Sequence, residues 1–138
     1  MKKLLILAMS VVLLFSAMAM PISAAQPNDE IAQPYWTNTN AIDVHIVFSE
    51  GKGYADGYVR GKFGTTMTQI YVVVYQQSGN DWIQIAEDHV LSNSISAAIS
   101  CEFTPVLGAT YKAEYSFFVS KDGTTEGVAR DAYKTYEG

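Results

Sequence analysis

One cysteine, Cys101, occurs in 138 residues. A single thiol excludes an intrachain disulfide. No cysteine lies near Ala25, at the end of the N-terminal apolar segment, which excludes a lipid-modified N-terminus of the bacterial lipoprotein kind. Cys101 alternates with Ile99 and Phe103, so it reads as a small buried hydrophobe rather than a reactive group. Histidine is almost as scarce: His45 and His89 are the two present. Neither has the short ligand spacing of a zinc site, and Glu87-Asp88-His89 reads as a solvated loop. No Gly-x-Ser-x-Gly elbow singles out a serine nucleophile. Gly51-Lys52-Gly53 is too short to cradle a phosphate and reads as a hairpin turn. Asp122-Gly123-Thr124 offers one carboxylate, not the oxygen shell of a calcium site. No catalytic residue, metal or cofactor is therefore expected, and the chain is not expected to be an enzyme.

Positive charge is also sparse. Nine Lys and Arg stand against fourteen Asp and Glu, a net charge of −5. The basic residues are scattered, whereas phosphate-backbone binding needs them clustered, so nucleic acid is excluded as a partner. The acidic balance gives no electrostatic help toward an anionic membrane. Beyond residue 25, no segment sustains the 3.6-residue apolar period of an amphipathic helix.

What is present begins with a secretory pattern. Lys2 and Lys3 form a positive n-region, and Leu4 to Phe15 is apolar apart from Ser10. Pro21 then breaks the run, and Ser23-Ala24-Ala25 sets small residues at a cleavage site before Gln26. Residues 1–25 are thus expected to be a signal peptide, with the mature chain secreted and free of the membrane after cleavage. Removing them leaves room for one domain and not two. Residues 26–40 hold Pro27 and Pro34 without periodicity and are expected as a flexible arm. Residues 41–138 are expected as the folded domain.

There the period becomes two. Ile42, Val44, Ile46 and Phe48 share a face, with Asp43 and His45 opposite. After a turn at Ser49 to Lys52, Ala55, Gly57, Val59 and Gly61 alternate with Tyr54, Asp56, Tyr58, Arg60 and Lys62. The small residues are expected to face the core where another sheet comes close. Thr68 to Gln77 is a near-continuous β-branched and aromatic run, consistent with burial on both faces or at an interface. Further strands follow at Trp82 to Ala86, Ser94 to Phe103, from Tyr111, and at about Thr124 to Tyr136. Lys121-Asp122-Gly123 is expected as a three-residue hairpin loop. Seven strands with Gly and Asn turns imply an all-β antiparallel sandwich, three strands on four with Greek-key crossing.

Pro105-Val106-Leu107-Gly108-Ala109-Thr110-Tyr111-Lys112-Ala113 precedes a long alternating strand and a glycine turn. It resembles the passage of immunoglobulin-like, fibronectin type III domains in which a tyrosine opening the sixth strand bonds back to upstream backbone. Tyr111 is the matching position. The mature chain as a whole is similar to an uncharacterised family of small secreted β-sandwich proteins from Gram-positive bacteria. That likeness is carried by Pro34-Tyr35-Trp36-Thr37-Asn38-Thr39, Gly64-Thr65-Thr66 before a Val-rich strand with Gln76, Trp82, Tyr111 and Tyr136. It implies a fold and a location and no activity.

Aromatic surface remains as the functional signal. The chain has nine tyrosines and two tryptophans beside six phenylalanines. Tyr54 and Tyr58 fall on the outward face of one strand with Asp56 between them. Tyr71 and Tyr75 share a face of another strand and extend that surface if both strands lie in one sheet. Trp36 lies on the arm and Trp82 after a turn. Tyr and Trp offer rigid apolar area with a polar handle. Tyr54, Tyr58, Trp36 and Trp82 are therefore the candidate ligand-binding residues. The expected function is a secreted, non-enzymatic binding or adhesion module for a protein or glycan. The alternative is a structural subunit forming a homo-oligomer through its Tyr/Val edge.

Overall fold

The alternation read from the sequence becomes the pleat of two packed sheets. The computed structural model describes residues 35–138. The expected signal peptide and most of the expected arm lie outside the described residues. The strands are β1 (Thr39–Ser49), β2 (Lys52–Gly61), β3 (Thr65–Ser78), β4 (Asp81–Ser92), β5 (Ser96–Phe103), β6 (Thr110–Lys121) and β7 (Thr124–Thr135). One sheet has the order β1-β2-β5 and the other β4-β3-β6-β7, with every neighbouring pair antiparallel. The chain changes sheet after β2, β4 and β5. This is a three-on-four, fibronectin type III-like sandwich. No helix among the described residues is long and apolar enough to cross a membrane.

The core lies between the inner faces. Ala55 and Val59 of β2, Ile70, Val72 and Val74 of β3, and Tyr111, Ala113, Tyr115, Phe117 and Val119 of β6 are all buried. Each large one contributes roughly 1.5–3 kcal/mol by leaving water. Glycine on β2 makes the close approach possible. A methyl group at Gly57 would stand 2.9 Å from the Tyr115 ring, nearer than carbon atoms pack. Cys101 is buried on β5 among these residues, as expected, and burial is the main cause raising its thiol pKa.

One end of the core is closed by aromatic rings. Phe103 and Tyr111 lie 4.8 Å apart between centroids, as do Phe48 and Tyr136. Tyr111 is fully buried, so its hydroxyl must find partners inside. It accepts from the Val106 amide at 2.7 Å and donates to Gln76 Oε1 at 3.1 Å. The bond back to upstream backbone expected from the resemblance is present.

Several local expectations are corrected. Glu87-Asp88-His89 is not a loop but continues β4, paired with Tyr71, Val72 and Val73 of β3. The loop at Asp122-Gly123 has two residues, not three, because Lys121 pairs with Thr124. Both residues have positive φ, 52° and 77°, the twist that matches flanking strands. The Thr68 to Gln77 run is not an edge and is not buried on both faces. As β3 it lies between β4 and β6, with one face in the core and the other open.

The boundary of the arm also shifts. Asn38 and Thr39 are buried and belong to the domain. Glu126, on edge strand β7, accepts the amides of Thr37, Asn38 and Thr39 at 2.6, 3.1 and 2.9 Å. Asn38 Nδ2 donates to the carbonyls of Val119 and Thr124. One carboxylate thus satisfies three consecutive donors and ties the start of β1 to the opposite sheet.

Tyr111→Phe should cost about 1 kcal/mol for the lost hydrogen bonds, and Tyr111→Ala roughly 3–5 kcal/mol for the cavity. Unchanged denaturant midpoints in both would remove the corner as a structural element. Burial raises the Glu126 carboxyl pKa, but the bonds it accepts from Thr39, Thr37 and Asn38 pull it down, and the net shift is downward. A lowered folded pKa means the clamp stabilises fully above the ordinary value of 4.5 and fades as pH falls through the folded value. The stability gap between the native chain and Glu126→Gln should therefore be wide near neutral pH and narrow in acid. An equal gap across that range would contradict the clamp.

Candidate functional site

Because β2 turns Gly53, Ala55, Gly57, Val59 and Gly61 inward, Tyr54, Asp56, Tyr58 and Arg60 must face out. Antiparallel pairing then sets three rows across the outer face of β1-β2-β5. Asp43 stands opposite Tyr58 and Ala98, His45 opposite Asp56 and Ser100, and Val47 opposite Tyr54 and Glu102. Ala98 has no bulk to fill its place. The result is a shallow hollow lined by Asp43, His45, Asp56, Tyr58, Ala98 and Ser100. Tyr58 stands at its side, 37% exposed.

The polar groups of the hollow are linked. Ser100 Oγ donates to Asp56 Oδ1 at 2.6 Å. His45 Nε2 lies 3.4 Å from Asp56 Oδ2, and its Nδ1 lies 3.9 Å from Asp43 Oδ2. Below the sheet, the Tyr115 hydroxyl donates to the His45 carbonyl at 3.3 Å, so the core fixes the backbone that carries the imidazole. Serine, aspartate and histidine meet here, but in an order unlike an activated nucleophile. The serine proton goes to a carboxylate rather than to the imidazole, whereas a nucleophile needs a base on its own hydrogen. The arrangement orients Asp56 and leaves its remaining acceptor capacity, with that of Asp43, facing solvent. Among the described residues, no group of three or more His, Cys, Asp or Glu is placed to hold a metal ion.

The candidate residues do not form one site. Tyr54 and Tyr58 share the face, but Tyr54 lies a row beyond Asp56, about 13 Å along the strand from Tyr58 at the usual rise per residue. It is half-buried beside the Lys52–Glu102 ion pair. Trp36 is not among the residues that line the hollow beside Tyr58. Its carbonyl accepts from Lys62 Nζ, and the Arg130 guanidinium of β7 lies 5.2 Å from its ring centroid. Trp82 is on the other sheet, where Lys112 Nζ covers its ring at 4.8 Å and Tyr133 meets it edge-on at 6.0 Å. Tyr71 and Tyr75 are on β3 and so belong to that sheet as well. They do not extend the Tyr54–Tyr58 surface.

The outer face of β4-β3-β6-β7 carries its own aromatic group. Tyr71, 42% exposed, stacks on His89 with centroids 5.1 Å apart and meets Phe118 nearly at right angles at 6.0 Å. Gln69 Nε2 donates to its hydroxyl at 2.6 Å. Phe118 was legible in principle, because it follows Lys112, Glu114 and Ser116 on the outward alternation of β6. His89 was not, because its segment read as a loop.

No family model matches the chain, and no curated protein matches it. Over 62% of its length it is similar to 15% of a glycosyl hydrolase family 2 member from Bacteroides cellulosilyticus, at 12% identity and a TM-score of 0.37. Over 72% it is similar to 29% of OgpA from Akkermansia muciniphila, at 13% identity and 0.39. Over 72% it is also similar to 98% of a protein from Archaeoglobus fulgidus, at 5% identity and 0.37. The chain spans less than a third of the first two proteins. At such identities and scores these likenesses bear on neither its fold nor its activity, and the fold rests on the strand order and register described above.

Proposed function

We propose that the chain is exported and acts as a non-enzymatic binding module for a protein or glycan met outside the cell, with the outer face of β1, β2 and β5 as its binding surface. The hollow beside Tyr58 carries this reading. It joins one partly exposed ring to a floor without bulk and a rim of Asp43, His45, Asp56 and Ser100. An aromatic plane with oriented hydrogen-bonding groups around it is the usual make-up of a recognition site. Export is supported by the charged, apolar and small-residue pattern of residues 1–25.

Self-association is the second reading, and the exposed edge of β4 favours it. Ile83, Ile85 and Leu91 are 53%, 39% and 49% exposed along this outer strand. Apolar side chains beside unpaired backbone form a template for pairing with another chain. The Tyr/Val run of β3 cannot serve, because both its neighbours are in place.

The test is the double variant Tyr54→Ser with Tyr58→Ser, compared with the native chain on a glycan array and against candidate extracellular proteins. Binding should be lost while the chain still folds, at a cost of roughly 0.5–2 kcal/mol because both rings are partly buried. Binding retained by a folded variant would contradict the assignment. Loss of folding would mean the rings serve packing instead.

A further inference from the structure

We infer that the opposite sheet carries a second binding site, a hollow between Tyr71 and Phe118 that takes an uncharged hexopyranose of a polysaccharide. Gln69, Tyr71, Ser116, Phe118 and Thr125 line it. It is separate from the face of Tyr58, which lies on the other sheet.

The hollow follows from side-chain size along matched rows. Across the outer face, Tyr71 stands beside Ser116 and Ala129, and Gln69 beside Phe118 and Gly127. On the β7 side both rows end in residues with little or no side chain. Tyr71 and Phe118 therefore rise over a low floor instead of being covered by larger neighbours. Phe118 leans toward Gly127, where an added methyl would meet its ring at 3.5 Å. The two rings stand 87° apart and form a corner. Tyr71 is held in place by the His89 stack behind it and the Gln69 amide on its hydroxyl. A corner fixed before binding loses little conformational entropy when it is filled.

The chemistry of the lining selects the ligand. Two ring surfaces offer apolar contact, and a carboxamide and two hydroxyls offer donors and acceptors at the rim. No charged side chain lines the hollow. A pyranose has the complementary form, an apolar C–H face edged with hydroxyls. The neighbouring row sets its charge. Glu87, Val73, Glu114 and Asp131 stand side by side across the sheet. Lys112 pairs with Glu114 at 3.0 Å and also feels Asp131; three carboxylates against one ammonium among the described residues of this part of the face leave a local field that repels anions. Uronates, sulfated sugars and phosphates are disfavoured. A second copy of the chain is disfavoured too, since this pairing sets two net-negative faces together.

The experiment titrates the isotopically labelled mature chain with uncharged hexose oligomers (glucan, mannan and galactan) and with a polyuronate, following backbone amide shifts. At least one uncharged oligomer should shift the amides of Tyr71, Ser116, Phe118 and Thr125, and the polyuronate should not. Tyr71→Ala should weaken binding by roughly tenfold or more. Ser116→Phe, which fills the hollow from an exposed position without removing packing, should abolish it. Tyr54→Ser with Tyr58→Ser should leave it unchanged. No shift with any uncharged oligomer, or equal binding of the polyuronate, would overturn the inference. Shifts confined to the Tyr58 face would also overturn it while leaving the proposed function standing.

Discussion

The ring of Tyr115 lies where a side chain of β2 would otherwise be, and Gly57 leaves it the space. A methyl group at Gly57 would meet that ring at 2.9 Å and Ile99 Cγ2 at 3.3 Å. The pattern is general along β2, whose inward positions are Gly53, Ala55, Gly57, Val59 and Gly61, all buried. Large aromatics on β5 and β6 thus fill a core whose opposing wall is thin. Sheet spacing, strand register and the identity of the outward residues all depend on this fit. A slip of one residue would drive Tyr54 or Tyr58 into Tyr115 and Phe103, so the packing forbids it.

The same fit connects core to surface. Tyr115 fills the space above Gly57 and reaches the carbonyl of His45, so one buried ring supports both the middle strand and its neighbour. Ser100, Asp56 and His45 then stand in a single row on the outer face. The opposite sheet works by the same logic in reverse. Its inner face is filled by Ile70, Val72, Val74, Tyr115 and Phe117, while Ala129 and Gly127 keep the outer face low beside Tyr71 and Phe118. Each hollow arises where a small residue stands in register with a large one.

Much of this was legible because a strand writes its two faces alternately into the sequence. The inward sets on β1, β2, β5 and β6 are those that the alternation marks, including Cys101 and the small residues of β2. The Tyr111 corner was legible from the resemblance of residues 105–113. What alternation cannot carry is which strands are neighbours. Tyr71 and Tyr75 could not be assigned to a sheet, and the β-branched run of β3 read as an edge when it is a central strand. Charged edge strands escape the signal as well. Glu87, Asp88 and His89 lack apolar partners in sequence, yet backbone pairing with β3 makes them strand. The Ser100–Asp56–His45 row needed three strands in register, and no local pattern contains it.

The measurement that bears most directly on the fit is a double-mutant cycle between Gly57→Ala and Tyr115→Leu, read from denaturant midpoints. In the native background Gly57→Ala should cost about 1–3 kcal/mol, as overpacking does. In the Tyr115→Leu background most of that cost should disappear, giving a coupling of about 1 kcal/mol or more. Equal costs in both backgrounds, or no cost in either, would contradict the claim that the Tyr115 ring against Gly57 sets the spacing of the sheets.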